Sequence, residues 1–170
     1  GHLCVIGGSE GYCHAPVLAA LGAVKGGAGL VTLAAPLQSG WAAAAHVPEA
    51  MVHALSTPQG DLSVESLRGW GRDLNGFGVI VAGPGMAQSE RTRGVIEHLL
   101  AHYEGRLVLD ADGLNALAAL RAGGWLPRAG QRLMLTPHPG EAGRLLGVSA
   151  DAIQSDRLAA VRTLADTYQA

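Results

Sequence analysis

Asp110-Ala111-Asp112-Gly113-Leu114-Asn115 follows the apolar run Arg106-Leu107-Val108-Leu109, and Thr136-Pro137-His138-Pro139-Gly140-Glu141 follows a second such run, Arg132-Leu133-Met134-Leu135. Each cluster leads into a helix-like pattern. A polar group wedged between a short apolar run and a helical period marks the carboxyl end of a buried strand. In an open parallel sheet that is the edge where ligands bind. Two carboxylates, an amide, an imidazole and a third carboxylate are therefore predicted to share one edge of an α/β sheet.

The chain before these clusters repeats the same grammar. Leu3 to Ile6 is a short apolar run ended by Gly7-Gly8-Ser9, Pro16 opens a helix through Val24, and Leu30 to Leu33 is a second strand. One strand–helix–strand unit is thus complete in roughly 30 residues. Pro36 to Ala45 reads as a helix, Met51 to Leu55 as a strand and Ser63 to Leu74 as a weakly amphipathic helix. Gly78 to Ala82 is a buried strand ended by Gly83-Pro84-Gly85, and Ser89 to Tyr103 is a helix with Val95, Ile96, Leu99 and Leu100 on one face. After the two clusters, Glu141 to Leu146 is helical, and Ser149 caps a last helix that carries Ile153, Leu158, Val161, Leu164 and Tyr168 to the end. Strands that alternate with helices and are apolar on both faces predict a three-layer α/β/α fold whose mostly parallel sheet is covered on both sides.

Composition narrows the function classes. The 170 residues are 48% apolar and 15% charged with a net charge of -2, values of a folded domain rather than a disordered chain. They fit a single domain. Lysine occurs once, at Lys25, and the arginines are spread out, so no basic patch marks a nucleic-acid surface. No apolar run approaches the ~20 residues that cross a bilayer. Cys4 and Cys13 are too few and too close for a disulfide framework and read as reduced thiols, which with the lack of a signal sequence predicts a soluble cytoplasmic protein. Glycine is abundant, with 25 residues, and falls at the ends of apolar runs, the pattern of tight strand-to-helix turns.

Each polar cluster admits a chemical use and a structural one. Gly7-Gly8-Ser9-Glu10-Gly11 precedes a helix and would present backbone N–H groups to a phosphate, yet it matches neither the dinucleotide fingerprint nor the lysine-bearing phosphate loop and equally suits a plain turn. Asp110 and Asp112, two apart at a strand end, suit metal–phosphate coordination or proton handling, while Asp112 also suits a helix cap. Asn115, in the first turn, reaches the same cleft. His138 has its backbone restrained by a proline on either side and is thus rigidly presented. Glu141 caps the next helix or faces the ligand. Of the other histidines only His14 adjoins a glycine loop. No histidine and cysteine set has the spacing of a zinc site.

Taken in order, Val5-Ile6-Gly7-Gly8-Ser9 with Tyr12 and Ala15, Gly27-Ala28-Gly29-Leu30-Val31, Pro48-Glu49-Ala50-Met51-Val52, Gly83-Pro84-Gly85, Leu109 to Asn115 and Leu135 to Glu141 resemble the ADP- or ATP-dependent NAD(P)H-hydrate dehydratases, enzymes of ribokinase-like fold. The resemblance covers essentially the whole chain. It implies a hydro-lyase that repairs hydrated NADH or NADPH, using ADP or ATP with Mg2+. By the same resemblance Ala15, Gly83 or Gly85 and His138 contact the hydrated dinucleotide, and Asp110, Asp112 and Asn115 line the cleft near the phosphates. His14 and Ala87 stand where the family usually has glycine.

The family's nucleotide site and catalytic aspartate belong to a later Gly-Thr-Gly-Asp segment, which this sequence lacks. The expectation is a domain truncated at its C-terminus, holding the substrate-binding part and inactive alone. Two rivals use the same residues: a small-molecule kinase of the same fold, and a non-enzymatic nucleotide-binding module that associates through an uncovered sheet edge.

Overall fold

The computed structural model describes all 170 residues as six strands and eight α-helices. In chain order they are β1 (His2–Ile6), α1 (Ala15–Lys25), β2 (Leu30–Ala35), α2 (Leu37–His46), β3 (Met51–Ala54), α3 (Val64–Trp70), β4 (Val79–Ala82), α4 (Glu90–His102), β5 (Arg106–Leu109), α5 (Asp112–Ala122), β6 (Arg132–Leu135), α6 (Pro139–Leu146), α7 (Ala150–Ser155) and α8 (Arg157–Tyr168). A 3-10 turn, Leu74–Gly76, precedes β4. All strand pairs are parallel, in the order β3-β2-β1-β4-β5-β6, with Cys4 opposite Thr32 on one side and Ile80 on the other.

That order means the chain winds outward twice from the middle. β1, β2 and β3 are laid down toward one edge of the sheet, and β4, β5 and β6 toward the other. Right-handed crossovers then place the two sets of helices on opposite faces. The period of two along β1 shows it: Val5 packs with Val17, Ala20, Val31, Leu33 and Ala43 under α1 and α2. Cys4 and Ile6 pack with Ile80, Ile96, Leu99, Leu107 and Leu117 in the larger core on the other side. The predicted three-layer class and parallel sheet are what forms.

Coverage of the sheet is less complete than expected. α1 and α2 shield only the β1–β3 half of their face, so Val108 on β5 is half-buried and Met134 on β6 is 59% exposed. β6 is an open edge, flanked by an apolar groove of about 390 Å³ lined by Leu133, Leu135, Val161 and Leu164. No helix is long and apolar enough to cross a membrane.

Two helix boundaries differ from the expectation. α3 stops at Trp70 because Gly71 takes the left-handed conformation, φ +68°, that ends a helix. The last helix is two: Asp156, at φ −148° and ψ 82°, leaves the helical region, and its Oδ1 accepts the N–H of Ala159 at 3.0 Å to start α8 afresh. Consequently Ile153, Leu164 and Tyr168 are buried as predicted, whereas Leu158 and Val161 face solvent. Ser149 does cap α7, accepting the N–H of Ala152 at 3.1 Å.

Candidate functional site

The sheet order reverses between β1 and β4, so the crevice of an open α/β fold lies beyond the carboxyl ends of those two strands. Gly7-Gly8-Ser9 and Gly83-Pro84-Gly85 meet there and close on each other. The N–H of Gly8 donates to Pro84 O at 2.9 Å, the N–H of Gly7 donates to Ala34 O at 3.4 Å, and the hydroxyl of Ser9, 2% exposed, donates to Gly85 O at 2.8 Å. These are the groups a phosphate loop would direct at an anion. Here Gly8 and Ser9 stitch the two loops together, while Gly7 extends the ladder between β1 and β2.

The glycines are required by contact. A Cβ on Gly7 would lie 2.5 Å from Pro84 O. A Cβ on Gly83, at φ +124°, would overlap the carbonyl oxygen of Asp110 and stand 2.6 Å from Gly113 N. Gly85, at φ +67°, has room for no side chain between Tyr12 O and the Cβ of Ala15. Ala15 is half-buried at the first position of α1, with exposed Tyr12 and His14 beside it. The first strand's loop, Ala15 and the Gly-Pro-Gly loop, singled out separately in the sequence, thus form one contiguous wall.

A second wall comes from β5 and β6. Thr136 Oγ1 donates to Asp110 Oδ1 at 2.8 Å and contacts Leu109 O at 3.2 Å, which ties the two strand ends together. Asp112 does not cap α5, since the cap position is Ala111. Instead its Oδ2 accepts the N–H of Ala87 at 3.0 Å and anchors the Gly-Pro-Gly loop to the helix. Asn115 Nδ2 points at Asp112 Oδ1, 3.4 Å away, and Asn115 Oδ1 accepts from Arg144 Nε at 2.9 Å. Asn115 and Asp112 also line a polar groove of about 390 Å³ that runs along the first turns of α4 and α5.

His138 stands at the start of α6. Its Nδ1 accepts the N–H of Gly140 at 3.0 Å, so the neutral ring carries its proton on Nε2. Glu141, 7% exposed, takes the His138 N–H on Oε2 at 2.9 Å and sets Oε1 3.3 Å from His138 Nε2. Glu141 is the cap, and the imidazole it steadies remains exposed. His138 does not touch Asp110 or Asp112.

Two backbone conformations mark the same place. Ala87 (φ +66°) and Ala111 (φ +50°), which flank the Asp112 contact, are two of the chain's three non-glycine residues with positive φ. Such conformations persist only where surrounding contacts hold them. Ala111 gives no signal of this in sequence, whereas Ala87 stands at a position where the family usually has glycine, the residue that takes a positive φ freely. Arg144 is as silent as Ala111, since its partner lies 29 residues away.

A family model described as NAD(P)H-hydrate dehydratase matches residues 3–170. Bifunctional NAD(P)H-hydrate repair enzymes from Moorella thermoacetica and Coxiella burnetii are 40% and 37% identical over 174 residues, covering 100% and 99% of this chain but 32% and 31% of their own. An ADP/ATP-dependent NAD(P)H-hydrate dehydratase from Bacillus subtilis, co-crystallized with ATP/Mg2+, superposes with a TM-score of 0.77 at 26% identity, over 99% of this chain and 55% of that one. A ribokinase-like superfamily protein from Enterococcus faecalis, 22% identical, shares the fold with a TM-score of 0.79 over 99% of this chain and 55% of its own. The chain spans about a third of the length of the curated relatives. It belongs to the NAD(P)H-hydrate dehydratase family.

Proposed function

We propose that this member of the NAD(P)H-hydrate dehydratase family binds hydrated NADH or NADPH in the cleft at the carboxyl edge of its sheet, as part of an ADP- or ATP-driven hydro-lyase. The observation that carries the reading is the cross-linking of four strand-end loops, Gly7–Ser9, Gly83–Gly85, Asp110–Asn115 and Thr136–Glu141, into one continuous edge by side-chain and backbone hydrogen bonds. Loops coupled in this way offer a preformed surface, which lowers the ordering cost of binding. Ala15 and Gly85 form the wall against which the dinucleotide lies. His138, fixed by Gly140 and Glu141, offers Nε2–H to an oxygen of the ligand.

In the overall reaction the terminal phosphoryl group of the nucleotide passes to the hydroxyl on the hydrated nicotinamide ring. Phosphate then leaves with a ring proton, and the double bond is restored. Such a transfer depends on positioning and charge neutralisation more than on covalent help from the protein. Asp110, whose Oδ2 has no protein partner, and Asp112 are the residues that would hold Mg2+. Their hard oxygens fit an ion that takes one or two carboxylates and completes its shell with phosphates and water. When bound, Mg2+ supplies positive charge against the phosphates.

The test is to mix the chain with hydrated NADPH, ATP and MgCl2. The expected result is a rise in melting temperature with the hydrated cofactor and no recovery of NADPH absorbance. Rapid recovery would show that these 170 residues hold the complete catalytic set, and the absence of any shift with the cofactor would contradict the reading.

A further inference from the structure

Arg144 lies in the second turn of α6 and reaches across to α5, where its Nε donates to Asn115 Oδ1 at 2.9 Å. Asn115 is itself turned toward Asp112, and Asp112 holds the N–H of Ala87, so the guanidinium ends a polar chain that begins at the Gly-Pro-Gly loop. Arg144 has no carboxylate partner. The ion pairs of the molecule are Arg91 with Asp61 and Arg93 with Glu90.

An arginine held sideways through Nε keeps both Nη groups in a fixed plane, with their N–H donors directed away from the anchor. That fork matches two oxygens of one phosphate. We propose that Arg144, positioned by Asn115, is an oxyanion subsite for a phosphate group of the ligand bound in this cleft. The proposal rests on the reading above for the identity of the ligand, since both hydrated dinucleotide and nucleotide carry a diphosphate. Charge at the site argues for it. Asp110 and Asp112 stand at the same edge, and Arg144 is a cation tied through Asn115 to Asp112. Anchoring through a neutral amide leaves its full charge for an incoming anion, which a carboxylate partner would have neutralised.

The alternative role for Arg144 is to steady Asn115 and Asp112 alone, and the two separate by titration. Inorganic pyrophosphate, ADP and hydrated NADH are each titrated into the 15N-arginine-labelled chain while the Arg144 Nε–Hε resonance is followed, alongside R144Q, R144K, N115A and, as a distant exposed control, R162Q. The expected result is a saturable shift of Arg144 with pyrophosphate and ADP, weakened by salt. Affinity falls about tenfold in R144Q and severalfold in R144K, which retains the charge but not the fork. It falls partway in N115A and is unchanged in R162Q.

An Arg144 resonance that no phosphate ligand moves, or pyrophosphate binding equal in wild type and R144Q, would overturn the subsite. If hydrated NADH binds wild type and R144Q alike, the subsite falls and the dinucleotide reading stands. If pyrophosphate moves Arg144 while hydrated NADH does not bind, the dinucleotide reading falls and the subsite stands.

Discussion

Ala87 carries the clearest cost at the residue scale. Its φ of +66° places a Cβ where an L-residue is disfavoured by about 1 kcal/mol, and the conformation is held by the bond from its N–H to Asp112. Ala87→Gly keeps that bond and removes the strain, although the freer unfolded chain offsets part of the gain. Urea denaturation should show the variant about 0.5 kcal/mol more stable, and a loss of stability would mean that the loop is not held as described. The cysteines give a second check. Cys4 is fully buried, and burial pushes its thiol up to about 12, while Cys13 is half-buried beside His14. Native protein should therefore take up one equivalent of a thiol reagent, at Cys13, and the second only on unfolding.

The residue scale is also where the sequence was least legible. Asp110, Asp112, Asn115 and His138 were identifiable because each sits beside a strand end or a proline pair. The partners that decide what they do, Thr136, Ala87 and Arg144, lie elsewhere in the chain, on two loops and a helix, and only the fold brings them near. Asp112 shows the point: its cap role was plausible from position, but the carboxylate instead holds a loop 25 residues away.

Elements were read well where their signals were local. Every strand and most helices appear within a few residues of their expected ends, because apolar runs closed by glycine leave little choice of structure. The last helix failed as a single unit because the side chain of Asp156 competes for its own backbone.

A tie between elements also escaped the sequence. Asp61, in the connector before α3, accepts from the Ser89 hydroxyl at the start of α4 and from Arg91 Nε at 2.7 Å. Burial alone would push the Asp61 carboxyl up, yet Ser89 and Arg91 outweigh it and hold the group below its usual value of 3.8. A carboxylate depressed in this way adds stability that is complete above its unfolded value and is lost as pH falls through the folded one. Asp61→Asn should cost about 1–3 kcal/mol at neutral pH, and the gap to wild type should narrow below about pH 4. A gap that stays constant with pH would remove charge from the account.

At the scale of the whole molecule, the doubly wound order explains both the site and its exposure. Reversal between β1 and β4 gathers four loops at one edge, and the same winding leaves the β5–β6 half of one face bare. Met134 stands exposed on that bare region, Val161 of α8 lines the apolar groove beside β6, and β6 is the edge strand of the sheet. An apolar open edge invites pairing with another chain, and a lysine there opposes it. Light scattering should find the chain associating as its concentration rises, and Met134→Lys should return it to the monomer. A monomer at all concentrations would show that the bare half is harmless.

The curated relatives are about three times as long as this chain, so the proposed site is tested most directly through binding. His138→Asn provides the instrument, because asparagine serves well as a helix cap while the imidazole Nε2 is removed. Calorimetric titration of hydrated NADH should show saturable binding to wild type that weakens about tenfold in His138→Asn, the loss of one hydrogen bond to a ligand oxygen, with the melting temperature nearly unchanged. Equal affinity in the two proteins, or no binding to either, would contradict a dinucleotide site at this edge.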